Sequence, residues 1–276
     1  ARDVRAYLID DPGLLSKWSK PGAYNRLSIM ESFQRAKPAG EAHPYRRDGW
    51  FLPNHEHLNL DEVYDLYLLT GDERALRCMK VIAAHAAMSV GLANKNPVPI
   101  YRTSGWCIRC LMRYYDLTGD PEFKPYVQTA IERFWNTVDK AGVYGASGSW
   151  MTGIYNQGVM AAFCATGDER MRDLAIGVAD WCRNYEVAED GYPYTTVKER
   201  YNLPPEQRGK GTPWISSYMI NTQAFAYYHT GDPIYLKAFE FALDKLGTPG
   251  PDWLAFLPTA LYYAYSPRAD KQPPAA

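Results

Sequence analysis

The side chains best suited to proton transfer cluster in one short segment, Asn54-His55-Glu56-His57. An imidazole has an unperturbed pKa of about 6.5, so it can accept or donate a proton at neutral pH. The two histidines are two residues apart, whereas helical metal sites place their histidines at i and i+4. We therefore expect His55 or His57 to act as a catalytic base, with helix capping or metal binding as the alternatives.

Tyrosine and amide side chains recur together in two later segments. Tyr155-Asn156-Gln157 lies in one of them, and Tyr218 with Asn221 lies in the other. A tyrosine transfers protons when a neighbouring cation lowers its pKa from about 10, and Arg102 is a candidate cation. Tyr155 and Tyr218 are therefore candidate catalytic residues, and the amides are candidate ligands for the hydroxyl groups of a substrate.

Two further kinds of side chain suit a carbohydrate. Trp150 and Trp214 offer flat apolar faces that fit a pyranose ring, although either is equally suited to packing between helices. Glycoside hydrolysis needs two carboxyl groups roughly 5–10 Å apart, and Glu56 and Asp61 are the first candidates for that pair. Three other candidate carboxylates fall in loops: Asp48, Glu189 and Asp190.

The elements that must position these residues are marked by a four-fold repeat of Thr-Gly-Asp. The repeats begin at Thr70, Thr118, Thr166 and Thr230, which are 48, 48 and 64 residues apart. Glycine readily takes the left-handed conformation that ends a helix. Aspartate then caps the next helix by accepting from its unpaired N–H groups. Each repeat therefore predicts a tight turn between two antiparallel helices.

Two classes of helix flank these turns. The segments before them are apolar nearly all round and are predicted over 57–69, 104–117, 152–165 and 216–229. The segments after them carry one charged face and are predicted over 73–90, 121–138, 168–184 and 232–246, and a last apolar helix is predicted over 253–265. A helix that is apolar all round is buried, whereas a striped one faces water. The expected fold is an all-α, α/α toroid of about five hairpins with an inner and an outer ring.

One domain is expected over residues 1–276, with an irregular N-terminal segment over 1–50 and a flexible tail over 266–276. With every turn at one end, the candidate residues should meet at the other. Counted back from each turn threonine, position −16 holds Asn54, Arg102, Trp150 and Trp214, and position −9 holds Asp61, Arg109, Gln157 and Asn221. Such a set predicts a pocket for a polyhydroxylated ligand, with hydrogen bonding between helices alone as the alternative.

Composition narrows the class of partner. Thirty basic and 31 acidic residues give a formal charge of −1, which indicates neither nucleic acid nor an anionic membrane as partner. No apolar run approaches the roughly 20 residues that span a bilayer. Cys107 and Cys110 have zinc-like spacing but lie in a predicted helix without a second pair nearby. No cofactor is expected, a divalent ion is left open, and the first residue, Ala1, is interpreted as the start of a processed product or of a segment.

These features together resemble a known group of proteins. Hairpins joined by Thr-Gly-Asp, with His-, Tyr-, Asn- and Trp-bearing loops at the opposite rim, resemble the α/α-toroid carbohydrate-active enzymes, namely the toroid polysaccharide lyases and related uronyl hydrolases. The Asn54–His57 segment leading into Tyr67-Leu-Leu-Thr-Gly-Asp-Glu-Arg-Ala-Leu76 is most similar to the exo-acting rhamnogalacturonan- and ulvan-lyase type. The resemblance covers about residues 50–265.

The resemblance implies β-elimination on a uronate-containing glycan. Asn54, Arg102 and Asn156 would then neutralise the carboxylate, His55 or His57 would remove the C5 proton, and Tyr155 or Tyr218 would protonate the leaving oxygen. Trp150, Gln157, Trp214 and Asn221 would bind the oligo- or polysaccharide. We therefore expect a lyase first. The second hypothesis is a uronyl-type glycoside hydrolase that uses a Glu56–Asp61 pair, and the third is a non-catalytic scaffold that binds glycan or protein. Because large polysaccharides do not enter cells intact, a secreted or periplasmic location is expected.

Overall fold

The computed structural model describes residues 46–47, 50–51, 60–92, 102–141, 148–194, 211–212, 215–244 and 251–267. A short antiparallel pair joins β1 (Arg46–Arg47) to β2 (Trp50–Phe51). The helices are α1 (Asp61–Thr70), α2 (Glu73–Leu92), α3 (Arg102–Thr118), α4 (Lys124–Ala141), α5 (Ser149–Thr166), α6 (Glu169–Trp181), α7 (Ser216–Thr230), α8 (Pro233–Asp244) and α9 (Pro251–Tyr265). A π-helical turn, Cys182–Glu186, continues α6 and is called the π-turn below. These bounds confirm the predicted series of helix pairs.

The chain divides into two compact units, which are described separately. The first contains residues 1–96 and 106–130, and the second contains residues 97–105 and 131–276, so the division passes within α3 and α4. In the first unit α1 packs against α2, and in the second unit α7 packs against α5, α6, α8 and α9. The prediction of one domain over residues 1–276 stays a prediction.

The Thr-Gly-Asp turns have the predicted left-handed glycine. The φ angles of Gly71, Gly119, Gly167 and Gly231 lie between 59° and 70°. Each glycine N–H closes its helix by donating to the carbonyl four residues back, over 2.7–2.8 Å. Adding a Cβ would meet no atom within 4 Å at Gly71, Gly119 or Gly167, so backbone conformation alone selects glycine there.

The other two residues of each turn also have defined roles. The aspartate Oδ1 accepts from the backbone N–H two residues later, over 2.9–3.1 Å in all four copies, which confirms the predicted helix cap. The threonine Oγ1 donates to the carbonyl four residues back over 2.6–2.8 Å. It also accepts from the aspartate N–H over 3.1–3.3 Å. The threonine therefore joins the end of one helix to the start of the next.

Proline follows the aspartate in two of the turns, with different outcomes. Pro233 is the first residue of α8, a position where the N–H group that proline lacks has no partner within the helix. Residues 121–123, in contrast, form a turn, and α4 begins only at Lys124. The predicted start of that helix at 121 is thus three residues early.

Burial separates the helices before the turns from those after them. In α5 the buried side chains cover all sides of the helix and include Thr152, Tyr155, Asn156 and Val159. In α6 the buried residues Met171, Leu174, Ala175 and Val178 form one stripe. This difference confirms the predicted distinction between a buried and a solvent-facing class of helix. No helix in the described ranges is both long and apolar enough to cross a membrane.

Candidate functional site

The second unit places a cation and two aromatic rings in a row at the start of three helices. The guanidinium carbon of Arg102 lies 4.8 Å from the ring centroid of Trp150. The ring centroids of Trp150 and Tyr218 are 6.4 Å apart, with an interplanar angle of 61°. All three side chains are partly exposed. We call Arg102, Trp150 and Tyr218 the aromatic platform; it offers a sugar ring apolar faces beside a hydrogen-bond donor.

Glycines in the helices below allow the platform to form. A Cβ on Gly105 would overlap the carbonyl oxygen of Ile154, and a Cβ on Gly153 would overlap that of Tyr218. A Cβ on Gly158 would lie 2.7 Å from the carbonyl oxygen of Gly105. The backbones of α3, α5 and α7 therefore approach more closely at these positions than any other residue type permits.

A buried carboxylic acid lies behind the platform helices. Glu186, the last residue of the π-turn, is 0% exposed. Its Oε1 accepts from the Thr152 hydroxyl over 2.8 Å and from the Trp181 indole over 3.0 Å. Its Oε2 makes no hydrogen bond of good geometry within the described part of the chain, but the Cys182 thiol and the Ser149 hydroxyl lie near the carboxyl and also favour its charged form. Burial raises the pKa of Glu186 to about 7, although the hydrogen bonds from Thr152 and Trp181 oppose the shift.

Tyr155 lies inside the protein. Its side chain is 0% exposed, and its ring packs edge-on against Phe134 with centroids 4.8 Å apart. Burial raises the pKa of Tyr155 far above its ordinary value, which is opposite to the lowering expected from Arg102. In this conformation the phenol is not poised for proton transfer at neutral pH. Tyr218, which is partly exposed, is the more accessible of the two candidate acids.

The amides predicted to bind substrate are buried between helices. Asn156, Gln157 and Asn221 are 0%, 5% and 4% exposed. The Asn156 Nδ2 donates to Thr222 Oγ1 over 3.1 Å and to the carbonyl of Ala175 over 3.4 Å. Asn156 thus connects α5 to α6 and α7, which is the alternative that the sequence left open for such residues. Substrate binding by the three amides stays a prediction.

In the first unit, the predicted carboxylate Asp61 forms ion pairs at the start of α1. Its Oδ2 lies 2.8 Å from Arg109 Nη2, and its Oδ1 lies 3.9 Å from Arg113 Nε. The Arg109 guanidinium also lies 5.6 Å from the ring centroid of Trp106. Burial and the Asp61 charge raise the pKa of Asp65, one helical turn further along, while the two arginines oppose this shift. Asp61 is therefore a partly exposed carboxylate held in place by α3.

Several predicted site residues lie outside the described residues. They are Asn54, His55, Glu56, His57 and Trp214. Their roles as base, carboxylate ligand, alternative acid or sugar platform stay predictions.

Metal ligation has no support among the side chains that are described. No group of three or more His, Cys, Asp or Glu residues in the described ranges is arranged to hold an ion. None of the five cysteines forms a disulfide bond, and Cys107 and Cys110 are buried. The zinc-like spacing of these two residues therefore reflects packing within α3.

Sequence reasoning missed Glu186 altogether. The residue stands at the end of a helix with one charged face, where a glutamate is normally solvated. The signal that sets it apart is the π-turn, because π-helical turns are frequent at functional sites, but the turn itself is not readable from residue types. Trp181, which donates to Glu186 and directly precedes the π-turn, was also missed because the π-turn is not readable from residue types.

Comparison with known proteins gives a fold but no sequence family. No protein-family model and no curated protein matches the chain. Among solved structures, an inactive variant of the α-1,6-mannanase GH76A of Salegentibacter sp. HEL1_6, in complex with α-1,6-mannotriose, is 21% identical with a TM-score of 0.51. The match covers 74% of this chain and 63% of that chain, so this chain spans less than two thirds of the mannanase.

Two further structures of the same enzyme match in the same way. An inactive variant in complex with α-1,6-mannotetrose is 18% identical over 76% of this chain and 68% of that chain, with a TM-score of 0.50. The α-1,6-mannanase itself is 18% identical over 74% of this chain and 63% of that chain, also with a TM-score of 0.50. Together with the helical hairpins, the match confirms the predicted all-α, α/α-toroid fold.

The prediction of a polysaccharide lyase is wrong. The solved structures that share the fold are glycoside hydrolases, which favours hydrolysis over β-elimination. The relationship to rhamnogalacturonan and ulvan lyases and the uronate substrate are equally unsupported. The error has a physical cause: Thr-Gly-Asp caps helices and closes turns, so it reports the scaffold and carries no information on the reaction.

Proposed function

We propose that this chain is a glycoside hydrolase that cleaves an oligo- or polysaccharide of neutral sugars, with an α-1,6-linked mannan as the first substrate to test. The observation that carries the proposal is the aromatic platform. It stands on a fold shared with one α-1,6-mannanase, inactive variants of which are in complex with α-1,6-mannotriose and α-1,6-mannotetrose. Because a polysaccharide does not enter cells intact, we also propose that the protein is secreted or periplasmic.

The ion pairing of the arginines supports a neutral substrate. A uronate needs a cation or amide donor that is available to its carboxylate. In the described ranges Arg109 and Arg113 already pair with Asp61. A sugar without a carboxylate requires no such cation, and it can use the apolar faces of the platform together with hydrogen bonds to its hydroxyl groups.

Hydrolysis needs two carboxyl groups, and we propose Asp61 as one of them and Glu56 as the other. Asp190, a further candidate, is engaged in the loop, where it accepts from the N–H groups of Tyr192 and Gly211 over 3.0–3.1 Å. In the mannanase a variant with two consecutive aspartates replaced is inactive. Here Asp61 is followed directly by Glu62, so the start of α1 also carries two consecutive carboxyl groups.

The test measures two products on two substrates. The purified chain is incubated with α-1,6-linked mannooligosaccharides and, separately, with uronate polysaccharides, while reducing ends and the ultraviolet absorbance of an unsaturated product are followed. We expect reducing ends from the mannooligosaccharides and no new absorbance. Absorbance on a uronate polysaccharide would reinstate a lyase, and the absence of both signals would favour a binding scaffold.

Variants then test the assigned residues. Asp61→Asn is expected to lower kcat about 10²- to 10⁴-fold, whereas Asp116→Asn, an exposed carboxylate at the far end of α3, should leave it unchanged. Trp150→Ala is expected to raise KM with little change in kcat, against Tyr126→Ala on the outer surface of α4 as the control. If only replacement of the consecutive Asp10-Asp11 pair abolished activity, hydrolysis would stand and the Asp61 assignment would fall.

A further inference from the structure

The side chain of Glu186 connects the end of α6 to the start of α5. Its Oε1 accepts from the Trp181 indole over 3.0 Å and from the Thr152 hydroxyl over 2.8 Å. Thr152 lies in the first turn of α5, two residues after the platform residue Trp150, and its N–H donates to the carbonyl of Gly148 over 3.1 Å. Glu186 and Thr152 are both 0% exposed, so bulk water does not compete for the bond between them. The Glu186 carboxyl therefore fixes the helix turn that carries Trp150.

The main chain of Glu186 connects to α7, whose first turn carries the other ring of the platform. The carbonyl of Glu186 accepts from the N–H of Tyr194 over 2.8 Å, and the carbonyl of Pro193 accepts from the N–H of Thr212 over 2.7 Å. The carbonyl of Thr212 accepts over 3.2 Å from the N–H of the residue directly before α7. One residue is therefore linked to both helices whose first turns carry the platform rings.

The platform can use this link because its rings must be in place before a ligand arrives. The ring centroids of Trp150 and Tyr218 are 6.4 Å apart, and ordering a mobile side chain on binding would consume part of the binding free energy. We propose that Glu186 is a positioning residue, which holds Trp150 beside Tyr218 at the spacing at which the platform binds a sugar. This role rests on the proposed function, because it takes the ligand of the platform to be a sugar.

The role requires an acceptor oxygen at the right reach, but it requires no charge. Burial raises the pKa of Glu186 to about 7, so the carboxyl is mainly uncharged at pH 6. Glu186→Gln keeps an acceptor oxygen on a side chain of the same length and should behave like the wild type at pH 6. Glu186→Ala removes the oxygen, and Glu186→Asp shortens the side chain by one methylene, so both should lose the bond to Thr152.

Hydrogen exchange of the full chain at pH 6 tests the positioning without a sugar. In Glu186→Ala, and in Thr152→Val, which removes only the hydroxyl, the backbone N–H groups of residues 149–154 should exchange at least about threefold faster than in the wild type. Residues 166–170, at the other end of α5, should not change, and Glu186→Gln should match the wild type in both segments. Thr137→Val is the matched control, because it replaces a largely buried threonine of α4 whose hydroxyl donates within its own helix.

Wild-type exchange over residues 149–154 in both Glu186→Ala and Thr152→Val would overturn the proposal. If circular dichroism showed that Glu186→Ala does not fold, Thr152→Val would decide the result alone.

Kinetics on α-1,6-linked mannooligosaccharides then separate positioning from a general loss of structure. Glu186→Ala should raise KM about three- to tenfold, the contribution of one neutral hydrogen bond, with little change in kcat. In the Trp150→Ala background the same replacement should leave KM unchanged, since no ring remains for Glu186 to position. A change in kcat, or the same factor in KM in both backgrounds, would show a merely structural role and overturn the proposal. If the wild type neither bound nor cleaved these sugars, the proposed function would fall, while hydrogen exchange would still decide whether Glu186 holds the start of α5.

Discussion

Replacing Glu186 by glutamine tests the claim that this carboxyl is held neutral by burial. Glutamine keeps an acceptor oxygen for Thr152 and Trp181 and puts an amide where Oε2 stands. It also removes the ionisable proton. Any difference between the two proteins that depends on pH therefore reports the ionisation of Glu186 and not the shape of the side chain.

The expected size of the effect follows from the two pKa values. The pKa of Glu186 is about 7 in the folded protein against 4.5 for an unperturbed glutamate. Between these values the folded chain binds more protons than the unfolded chain, so the free energy of unfolding of the wild type falls as the pH rises through this window. Above pH 7 the loss levels off at about 3 kcal/mol. Glu186→Gln escapes this loss and should be more stable than the wild type at pH 8 by up to that amount, relative to the difference at pH 4.5.

Urea denaturation of both proteins at pH 4.5, 6, 7 and 8, at constant ionic strength, gives this difference directly. Glu189→Gln, an exposed glutamate in the next turn, is the matched control and should change the free energy of unfolding by less than about 0.5 kcal/mol. A difference between wild type and Glu186→Gln that is flat across the pH range would show that the folded protein ionises Glu186 as readily as the unfolded chain does. The argument from burial would then be refuted.

Two further predictions concern packing and a second titrating group. Gly153→Ala should destabilise the protein by about 2 kcal/mol or more, because the new Cβ meets the carbonyl of Tyr218. Gly71→Ala, which meets no atom but keeps a φ of +65°, should cost only about 1 kcal/mol; equal losses in Tm would contradict this ranking. Burial among aromatic rings and the charge of Arg172 lower the pKa of His229 to about 4, so its contribution to stability is present above pH 6.5 and is lost as the pH falls towards 4. When the pH is lowered from 7 to 5, the Tm of His229→Phe should fall by less than the Tm of the wild type. A larger fall in the variant would contradict the lowered pKa of His229.

The parts of the fold that the sequence predicted depend on local chemistry. The glycine φ angle and the aspartate cap are set within five residues of each turn, so the repeat at Thr70 and Thr166 could be interpreted without any knowledge of packing. The two hydrogen bonds of the threonine hydroxyl are equally local, but they were not predicted from the sequence. One bond belongs to the end of the first helix and the other to the start of the second, so neither helix considered alone indicates both. Helix bounds were therefore predictable to within a few residues.

The candidate site was less predictable, because its residues depend on which face of a helix is buried. Tyr155 and Tyr218 have the same type and matching positions, yet one lies in the core and the other is partly exposed. Glu186 shows the opposite failure: a charged residue type gave no reason to expect full burial. The class of reaction was not predictable from the turns at all, since helix capping serves any enzyme built on this scaffold.

The exposure of the aromatic platform and the burial of the amide Asn156 have a common structural origin in the close packing of the helices. Where Gly105 and Gly153 bring α3, α5 and α7 together, no side chain fits between the backbones. Large side chains at the starts of these helices, such as Trp150, must therefore extend beyond the contact, where solvent and ligands reach them. Polar side chains within the contact region, such as Asn156, are confined to whatever partners the neighbouring helices supply. Close helix packing thus decides which side chains can bind a ligand and which hold the helices together. The residue types along the chain do not indicate which of the two roles a given side chain takes.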